Sequence, residues 1–228
     1  MINLLLFKKS IKYLFFCLLI TSCKSNFDLT EVKFGETNVN VIIPEKTEKN
    51  DYQLGDDKIR SSRSKEILTV NKVELQNQTK DTSFYNYVSF KYNEKNIITE
   101  YTLAYYTLKE EPKIVYNLLK DKIGLPSFRH YTTNYDKEHQ NYDAVIWEDK
   151  QNNKLYRLRY HLWEEEGLRE LRLTVLINSE SNIEDPVYSG QPFYFWKDYI
   201  NTRNRLGNNN YTYQEFIKSE GSYSFFSE

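Results

Sequence analysis

Apolar and polar residues alternate in seven segments downstream of residue 66, and a period of two is typical of strands with one buried face. The first three segments are residues 67–75, 84–92 and 97–106. The other four are residues 128–133, 144–148, 155–163 and 168–178. Short polar stretches, such as residues 93–96 and 151–154, separate neighbouring segments, so the pattern predicts two antiparallel meanders.

A helical pattern lies between the two groups of strands. Two acids and a proline at residues 110–112 favour a helix start, because acids suit the positive end of the helix dipole and proline suits the first helical position. Gly124 and Pro126 favour its end. The apolar residues in between form one stripe at helical spacing: Ile114, Val115, Leu118, Leu119 and Ile123. We expect a helix over residues 112–123 that packs this stripe on the sheet.

The C-terminal part of the chain predicts two more helices. Residues 192–205 have helical spacing, and Gly207 favours the end of this helix. Thr212 and Glu215 have the spacing of a capping box, which predicts a short final helix. The first of these helices is expected to bury four apolar residues: Phe193, Trp196, Tyr199 and Ile200.

These elements predict an α+β fold, with antiparallel meander sheets, a central helix and C-terminal helices packed on one face. The composition agrees, because the 228 residues include only 7 Gly but 20 Tyr and 13 Phe, and aromatic residues suit strands. Residues 31–228 fit the size of a single domain, and no segment between residues 66 and 228 has the composition of a linker. We therefore expect one domain.

Three short segments precede the first meander. Residues 23–30 are mostly polar and predict a tether. Residues 38–43 alternate in the manner of an edge strand. Residues 44–65 are rich in Lys, Glu, Asp and Ser, and we expect a polar, flexible segment that is too charged to bury.

The first 22 residues have the layout of a secretory signal peptide. Lys8, Lys9 and Lys12 form a basic start, and an apolar run at residues 13–20 follows them. Lys12 and Thr21 bracket only this short run, whereas a membrane-spanning helix needs about 20 consecutive apolar residues. The pattern therefore predicts export and cleavage rather than a transmembrane anchor.

The apolar run ends in Ile20-Thr21-Ser22-Cys23, which resembles the lipobox of bacterial lipoproteins. The resemblance covers only the leader. It implies cleavage between Ser22 and Cys23 and attachment of a diacylglyceryl group to Cys23, which would anchor the protein to a membrane. In that class the next residue influences sorting, and Lys24 is unlike the aspartate associated with inner-membrane retention. Some lineages export such lipoproteins to the cell surface by means of a cluster of acids just after the cysteine, and here Asp28 is the one acid near it. The resemblance therefore favours the periplasmic face of the outer membrane over the cell surface.

Removal of the leader also limits the chemistry of the mature chain. It takes away three lysines and no acid, so 31 basic side chains become 28 against 32 acidic ones, and the formal charge becomes −4. This charge gives no reason to expect nucleic-acid binding, which needs a basic surface. Cys17 leaves with the leader and Cys23 is consumed by lipid, which excludes disulfides, cysteine catalysis and cysteine metal sites.

The strongest candidate site is a set of arginines on the last hairpin. A turn at residues 165–166 places Arg159 opposite Arg172 and puts Arg157 on the same face, away from the core. Two guanidinium groups in opposition indicate an anion site for a carboxylate, a phosphate or sulfate, or an acidic segment of a partner. The alternative interpretation is a solvated face on which Glu148, placed across from Arg157, and Glu170 neutralise the arginines.

Other candidate chemistry has weaker support. His130 and His139 could bind a metal with Asp136 or Glu138, but no zinc-ligand spacing fits, and solvated loop histidines are the favoured interpretation. The acids at residues 164–166 sit on a turn and do not face each other across a substrate, as glycoside chemistry needs. The sequence contains no G-x-S-x-G, P-loop or dinucleotide motif. We therefore expect neither a catalytic residue nor a cofactor.

Two functional hypotheses remain. The first is a lipid-anchored cell-envelope protein with a non-catalytic domain that binds a protein or an envelope component. The second is a lipoprotein that binds or processes carbohydrate or peptidoglycan on an aromatic platform formed by Trp147, Trp163, Trp196 and surface tyrosines. An exposed, coplanar aromatic cluster would favour the second hypothesis, and aromatic residues inside the core would favour the first.

Overall fold

The computed structural model describes residues 26–43, 50–54, 57–78, 84–108, 113–163, 167–184, 193–220 and 227–228. In these residues ten strands and six helices form an α+β fold, which confirms the predicted class. Within the same ranges, no helix has the length and apolar character that a membrane crossing requires.

One large antiparallel sheet organises the molecule. The strands are β1 (Asn50–Leu54), β2 (Asp57–Ser62), β3 (Thr69–Val70), β4 (Val73–Glu74), β5 (Tyr87–Tyr92), β6 (Ile98–Leu108), β7 (Phe128–His130), β8 (Ala144–Asp149), β9 (Lys154–Trp163) and β10 (Leu168–Ile177). Eight of them form the sheet in the order β1-β2-β5-β6-β10-β9-β8-β7. The predicted second meander is confirmed as β7 to β10, and its last strand pairs with β6, so both meanders share one sheet.

The helices are α1 (Val39–Ile42), α2 (Ile114–Ile123), α3 (Asn134–Glu138), α4 (Glu180–Glu184), α5 (Phe193–Leu206) and α6 (Tyr213–Glu220). The predicted central helix is confirmed as α2. It buries Val115, Tyr116 and Leu119 and ends at Gly124, whose φ of 103° is readily adopted by a residue without a Cβ atom. Residues 110–112, the predicted start, lie outside the described residues.

Both predicted C-terminal helices are confirmed as α5 and α6. The residues that α5 buries are the four expected ones: Phe193, Trp196, Tyr199 and Ile200. At the start of α6, Thr212 donates its backbone N–H to the Glu215 carboxylate over 2.7 Å, and Glu215 donates its N–H to the Thr212 hydroxyl over 3.2 Å. This reciprocal pair is the predicted capping box.

Side chains on the two faces of the sheet enter two separate cores. The first core contains residues such as Leu103, Val115, Leu119, Trp147, Leu158 and Leu173. The second core contains residues such as Phe128, Ile146, Leu155, Trp196, Tyr213 and Phe216. Because successive residues of a strand point to opposite faces, Leu155 and Leu158 belong to different cores. The C-terminal helices therefore pack on one face and α2 packs on the other, so the helices do not share one face as the sequence predicted.

Several predictions for the N-terminal part are wrong. The segment predicted as an edge strand at residues 38–43 contains helix α1, because the Asn38 side chain accepts the backbone N–H of Asn40 over 2.9 Å and caps the helix. The predicted tether is folded at Leu29 and Thr30, which are both buried. Lys154, itself buried, donates to the Thr30 carbonyl over 3.2 Å.

The prediction that residues 44–65 are too charged to bury is wrong for β2, whereas residues 44–49 and 55–56 lie outside the described residues. Strands β1 and β2 lie within this segment, and β2 pairs with β5 in the main sheet. Arg60 is buried with its guanidinium 5.3 Å from the centre of the Tyr92 ring, and it donates to the Asn40 side chain. A stacked and hydrogen-bonded guanidinium is compatible with burial, which a count of charged residues does not reveal.

The segment at residues 67–75 does not join the meander. It forms the small hairpin β3–β4, which is a separate two-stranded sheet. Asn71 and Lys72 make its two-residue turn with φ values of 46° and 65°, as a type I′ turn requires at both positions.

Candidate functional site

The register of the last hairpin agrees with the prediction. Arg172 faces Arg159 across β9 and β10, and Leu173 faces Leu158 in the first core. Arg157 lies two residues from Arg159 and therefore on the same face. The three arginines thus share the side of the sheet on which α5 and α6 pack.

The prediction that all three arginines form a patch away from the core is wrong for Arg157. This residue is 3% exposed, and its Nη2 donates to the Asn182 carbonyl over 3.1 Å. Its guanidinium lies 5.3 Å from the centre of the Phe193 ring, at the start of α5. The face contains a second core that the sequence pattern did not indicate, and this core covers Arg157.

Arg159 and Arg172 lie at the border of the covered region. Arg159 is half-buried, with its guanidinium 5.8 Å from the centre of the Phe193 ring. Arg172 is exposed and donates to the Glu170 carboxylate over 2.6 Å. Burial is the largest single effect and would lower the pKa of Arg172, but the hydrogen bond to Glu170 and nearby negative charge, chiefly that of Glu170, together outweigh burial and raise it. Glu170 thus neutralises one of the two opposed arginines, as the alternative interpretation expected.

The predicted placement of Glu148 across from Arg157 is wrong. The four residues 150–153 connect β8 and β9, and this connection places Glu148 opposite Leu155. Glu148 instead accepts two bonds of 2.9 Å from Arg203 on α5. Burial alone would raise the pKa of the Glu148 carboxyl, but the bonds from Arg203 and Asn178 outweigh burial and hold the pKa below its ordinary value.

The second core covers only part of this sheet face. In the part of the chain that the structure describes, its sheet residues all come from β7, β8, β9 and β10. Polar side chains occupy the same face on β2, β5 and β6. The hydroxyls of Ser61 and Ser89 lie 2.7 Å apart, and those of Thr102 and Thr174 lie 3.2 Å apart. The sheet face therefore has an apolar half under α5 and α6 and a polar half beyond it.

Two tyrosines join the arginines on this polar half. Ala104 on β6 pairs with Tyr87 on β5 and, on its other side, with Arg172 on β10. Tyr106 on β6 pairs with Glu170 on β10. Both tyrosines are half-buried. Burial, followed by the negative charge of Glu170, raises the pKa of Tyr106. We call the set of Tyr87, Tyr106, Arg159 and Arg172 the Tyr–Arg patch.

Sequence reasoning found the arginines of this patch and missed its tyrosines. The arginines face each other across a local hairpin, whose register follows from alternation and turn position. Tyr87 and Tyr106 reach them only because β6 pairs with β10. In the sequence, β6 and β10 are separated by α2 and by three further strands, β7, β8 and β9. No local signal specifies their pairing.

The predicted metal-ligand candidates have other bonds. His130 Nδ1 lies 2.7 Å from Asp143 Oδ1, and His139 Nδ1 lies 2.8 Å from the Tyr135 carbonyl oxygen. Asp136 accepts a bond from the Thr133 hydroxyl at the start of α3. Among the described residues, no three His, Cys, Asp or Glu side chains are grouped as a metal site requires. Residues 164–166, the predicted acidic turn, lie outside the described residues.

Two of the three tryptophans proposed for an aromatic platform are in the cores. Trp147 and Trp196 are each 1% exposed. The Trp147 indole donates to the Gly124 carbonyl over 3.0 Å, which joins β8 to the end of α2. The side chain of Trp163 lies outside the described part of the structure. By the criterion stated above, these positions favour protein or envelope-component binding over a tryptophan platform for sugars.

Comparison of the chain with family models, with curated proteins and with solved structures finds no match.

Proposed function

We propose that this chain is a lipid-anchored cell-envelope protein whose α+β domain binds a protein partner without catalysis. The anchor is a diacylglyceryl group on Cys23, and the location is the periplasmic face of the outer membrane. The binding surface is the Tyr–Arg patch. The observation that carries the proposal is the grouping of two tyrosines and two arginines where the described helices leave the sheet face uncovered.

Tyrosine and arginine are suited to this role. Both are enriched at the centres of protein interfaces, where a large planar side chain buries area and still makes polar contacts. A guanidinium can also bind a carboxylate of the partner in a bidentate manner. Arg172 is already oriented by Glu170, so less conformational entropy is lost when it binds.

Photo-crosslinking from inside the patch tests the partner. Tyr106 is replaced by p-benzoylphenylalanine in the full chain, and crosslinking is induced in intact cells. The control carries the same probe at Tyr135, which is 64% exposed on α3. We expect a discrete, protease-sensitive adduct from position 106 and none of that size from position 135. Equal adducts at both positions, or no adduct at 106, would overturn the patch as the binding surface.

A charge variant tests the arginines. The triple variant combines Arg159→Gln, Arg172→Gln and Glu170→Gln. It removes two positive charges and one negative charge, and the third change avoids leaving the buried Glu170 carboxylate without its partner Arg172. Arg205→Gln, an exposed position on α5, removes the same net charge elsewhere. The triple variant should lose the adduct, and the control should keep it. An adduct whose added mass is removed by peptidoglycan hydrolases would instead support the carbohydrate hypothesis.

Fatty-acid labelling tests the anchor separately. Cys23→Ser removes the thiol that accepts the lipid, so it should abolish incorporation of an alkyne fatty acid and leave the uncleaved precursor. Several acyl chains, at about 0.8 kcal/mol per buried CH₂ group, give stable membrane attachment where one chain does not. Normal maturation of the Cys23→Ser chain would contradict the proposed anchor and location.

A further inference from the structure

The described part of the chain begins at residue 26, beside hairpin β3–β4. The backbone N–H of Phe27 donates to the Glu66 carbonyl over 2.8 Å. The carboxylate of Asp28 accepts the backbone N–H groups of Asn71 and Lys72, over 3.1 Å and 2.6 Å. These two N–H groups belong to the turn of the hairpin. Asp28 is therefore fixed to the hairpin turn, and Phe27 is fixed to Glu66, three residues before β3.

The connection from this point to the proposed anchor is short. Asn26 follows Cys23 by three residues, and its side chain donates to Glu74 on β4 over 3.1 Å. Consecutive Cα atoms are about 3.8 Å apart, so the Cα atoms of Cys23 and Asn26 can be separated by at most about 11 Å. A lipid on Cys23 holds that residue at the membrane surface, so the Cα atom of Asn26 lies within about 11 Å of that surface, and the hairpin that Asn26 contacts lies near it.

The hairpin and the turn that precedes it carry exposed groups that suit a lipid headgroup layer. Lys65 and Lys72 are exposed, and Val73 is 41% exposed. Lysine ammonium groups bind phosphate oxygens as point charges, and each can contribute about 1 kcal/mol near an anionic membrane surface. The exposed acid Glu74 already accepts a bond from Asn26. We call Lys65, Lys72 and Val73 the hairpin surface.

We propose that the hairpin surface docks on the phospholipid headgroups of the membrane that carries the anchor. This inference rests on the proposed lipidation of Cys23. The lysines contact headgroup phosphates, and Val73 enters the headgroup layer. Asp28 couples the hairpin to the rest of the domain, because its carboxylate binds the hairpin turn and the next residue, Leu29, is fully buried in the first core. The domain is then held in one orientation on the membrane.

A fluorophore at Val73→Cys tests the contact. The lipidated mature chain has no other thiol, since Cys17 leaves with the leader and Cys23 is a thioether. The labelled protein is inserted into vesicles of phosphatidylethanolamine and phosphatidylglycerol that contain headgroup spin-labelled lipid. The control label is at Leu206→Cys, which is 56% exposed at the end of α5. Quenching at position 73 should exceed that at position 206 by about threefold, as expected for a side chain in the headgroup layer.

Charge reversal tests the lysines. Lys65→Glu with Lys72→Glu should lower quenching at position 73 by about half or more, because each lysine near the membrane surface is favourable. Arg205→Glu with Lys218→Glu reverses two exposed charges on the C-terminal helices and should leave quenching unchanged. Equal quenching in the two double variants would overturn headgroup docking by the lysines.

Mass spectrometry and vesicle flotation separate the two proposals. A chain without the diacylglyceryl mass that fails to float contradicts the anchor, and the docking with it. A lipidated chain that floats but shows equal quenching at positions 73 and 206 overturns the docking alone.

Discussion

Glu148 and Arg203 form a buried ion pair that joins β8 to α5. Their side chains are 5% and 12% exposed, and Arg203 donates both terminal nitrogens to the carboxylate. Arg203→Met should lower the free energy of unfolding by about 3 to 5 kcal/mol, because it leaves a buried carboxylate without its partner. Urea denaturation measures the change. Arg205→Met, on the exposed side of the same helix, should stay within about 0.5 kcal/mol of wild type. Equal effects of the two variants would mean that the ion pair contributes no specific stability.

The same pair predicts a pH dependence. The pKa of Glu148 is lower in the folded chain than its ordinary value of 4.5, so the unfolded chain binds the proton more readily. The pair therefore contributes its full stability above pH 4.5 and loses it as the pH falls through the folded pKa. The difference in unfolding free energy between wild type and Glu148→Gln should be largest near neutral pH. It should shrink as the pH falls below about 4.5. A difference that is constant from pH 7 to pH 3 would contradict this assignment.

Single residues also show where sequence reasoning stops. The opposition of Arg159 and Arg172 was predictable, because a slip of one residue in the hairpin would exchange its apolar and charged faces. The partner of Glu148 was not predictable, because it comes from a helix that begins more than 40 residues later. Local alternation gives the face of a side chain but not which distant element covers that face.

At the scale of elements, α2 offers a direct test of packing. Leu119 is fully buried in the first core, whereas its neighbour Leu118 is half-buried at the edge. Leu119→Ala should destabilise the protein by about 2 to 5 kcal/mol through loss of buried area and creation of a cavity. Leu118→Ala should cost clearly less. Unfolding midpoints in urea measure both variants, and equal midpoints would show that α2 is not oriented as described.

Elements with a strong local pattern were predicted well, and elements fixed by tertiary contacts were not. Helix α5 and strands β9 and β10 have strong apolar periodicity, and β8 begins with a short apolar run, so their positions follow from the sequence. Strand β2 has no such pattern. It joins the sheet because Arg60 stacks on Tyr92 and because Ser61 contacts Ser89 across the strands. Such interactions depend on a neighbouring strand and leave no periodic signal in β2 itself.

At the scale of the whole molecule, two cores lie on opposite faces of one sheet. The first core contains Trp147, and the second contains Trp196. The strands between them contribute to both cores, since β9 places Leu158 in the first and Leu155 in the second. Loss of either core would leave one face of the same strands exposed to water. We therefore expect residues 31–228 to unfold as one cooperative unit, as a single domain does.

Two single-tryptophan variants test this expectation. Trp147→Phe with Trp163→Phe leaves Trp196 as the probe of the second core, and Trp163→Phe with Trp196→Phe leaves Trp147 as the probe of the first. Each tryptophan reports its own core, while circular dichroism reports the strands and helices of the whole chain. For a cooperative unit, fluorescence and circular dichroism should give the same urea midpoint within each variant. A fluorescence transition that precedes the circular dichroism transition in one variant would show that its core unfolds independently. The sheet would then support two units rather than one.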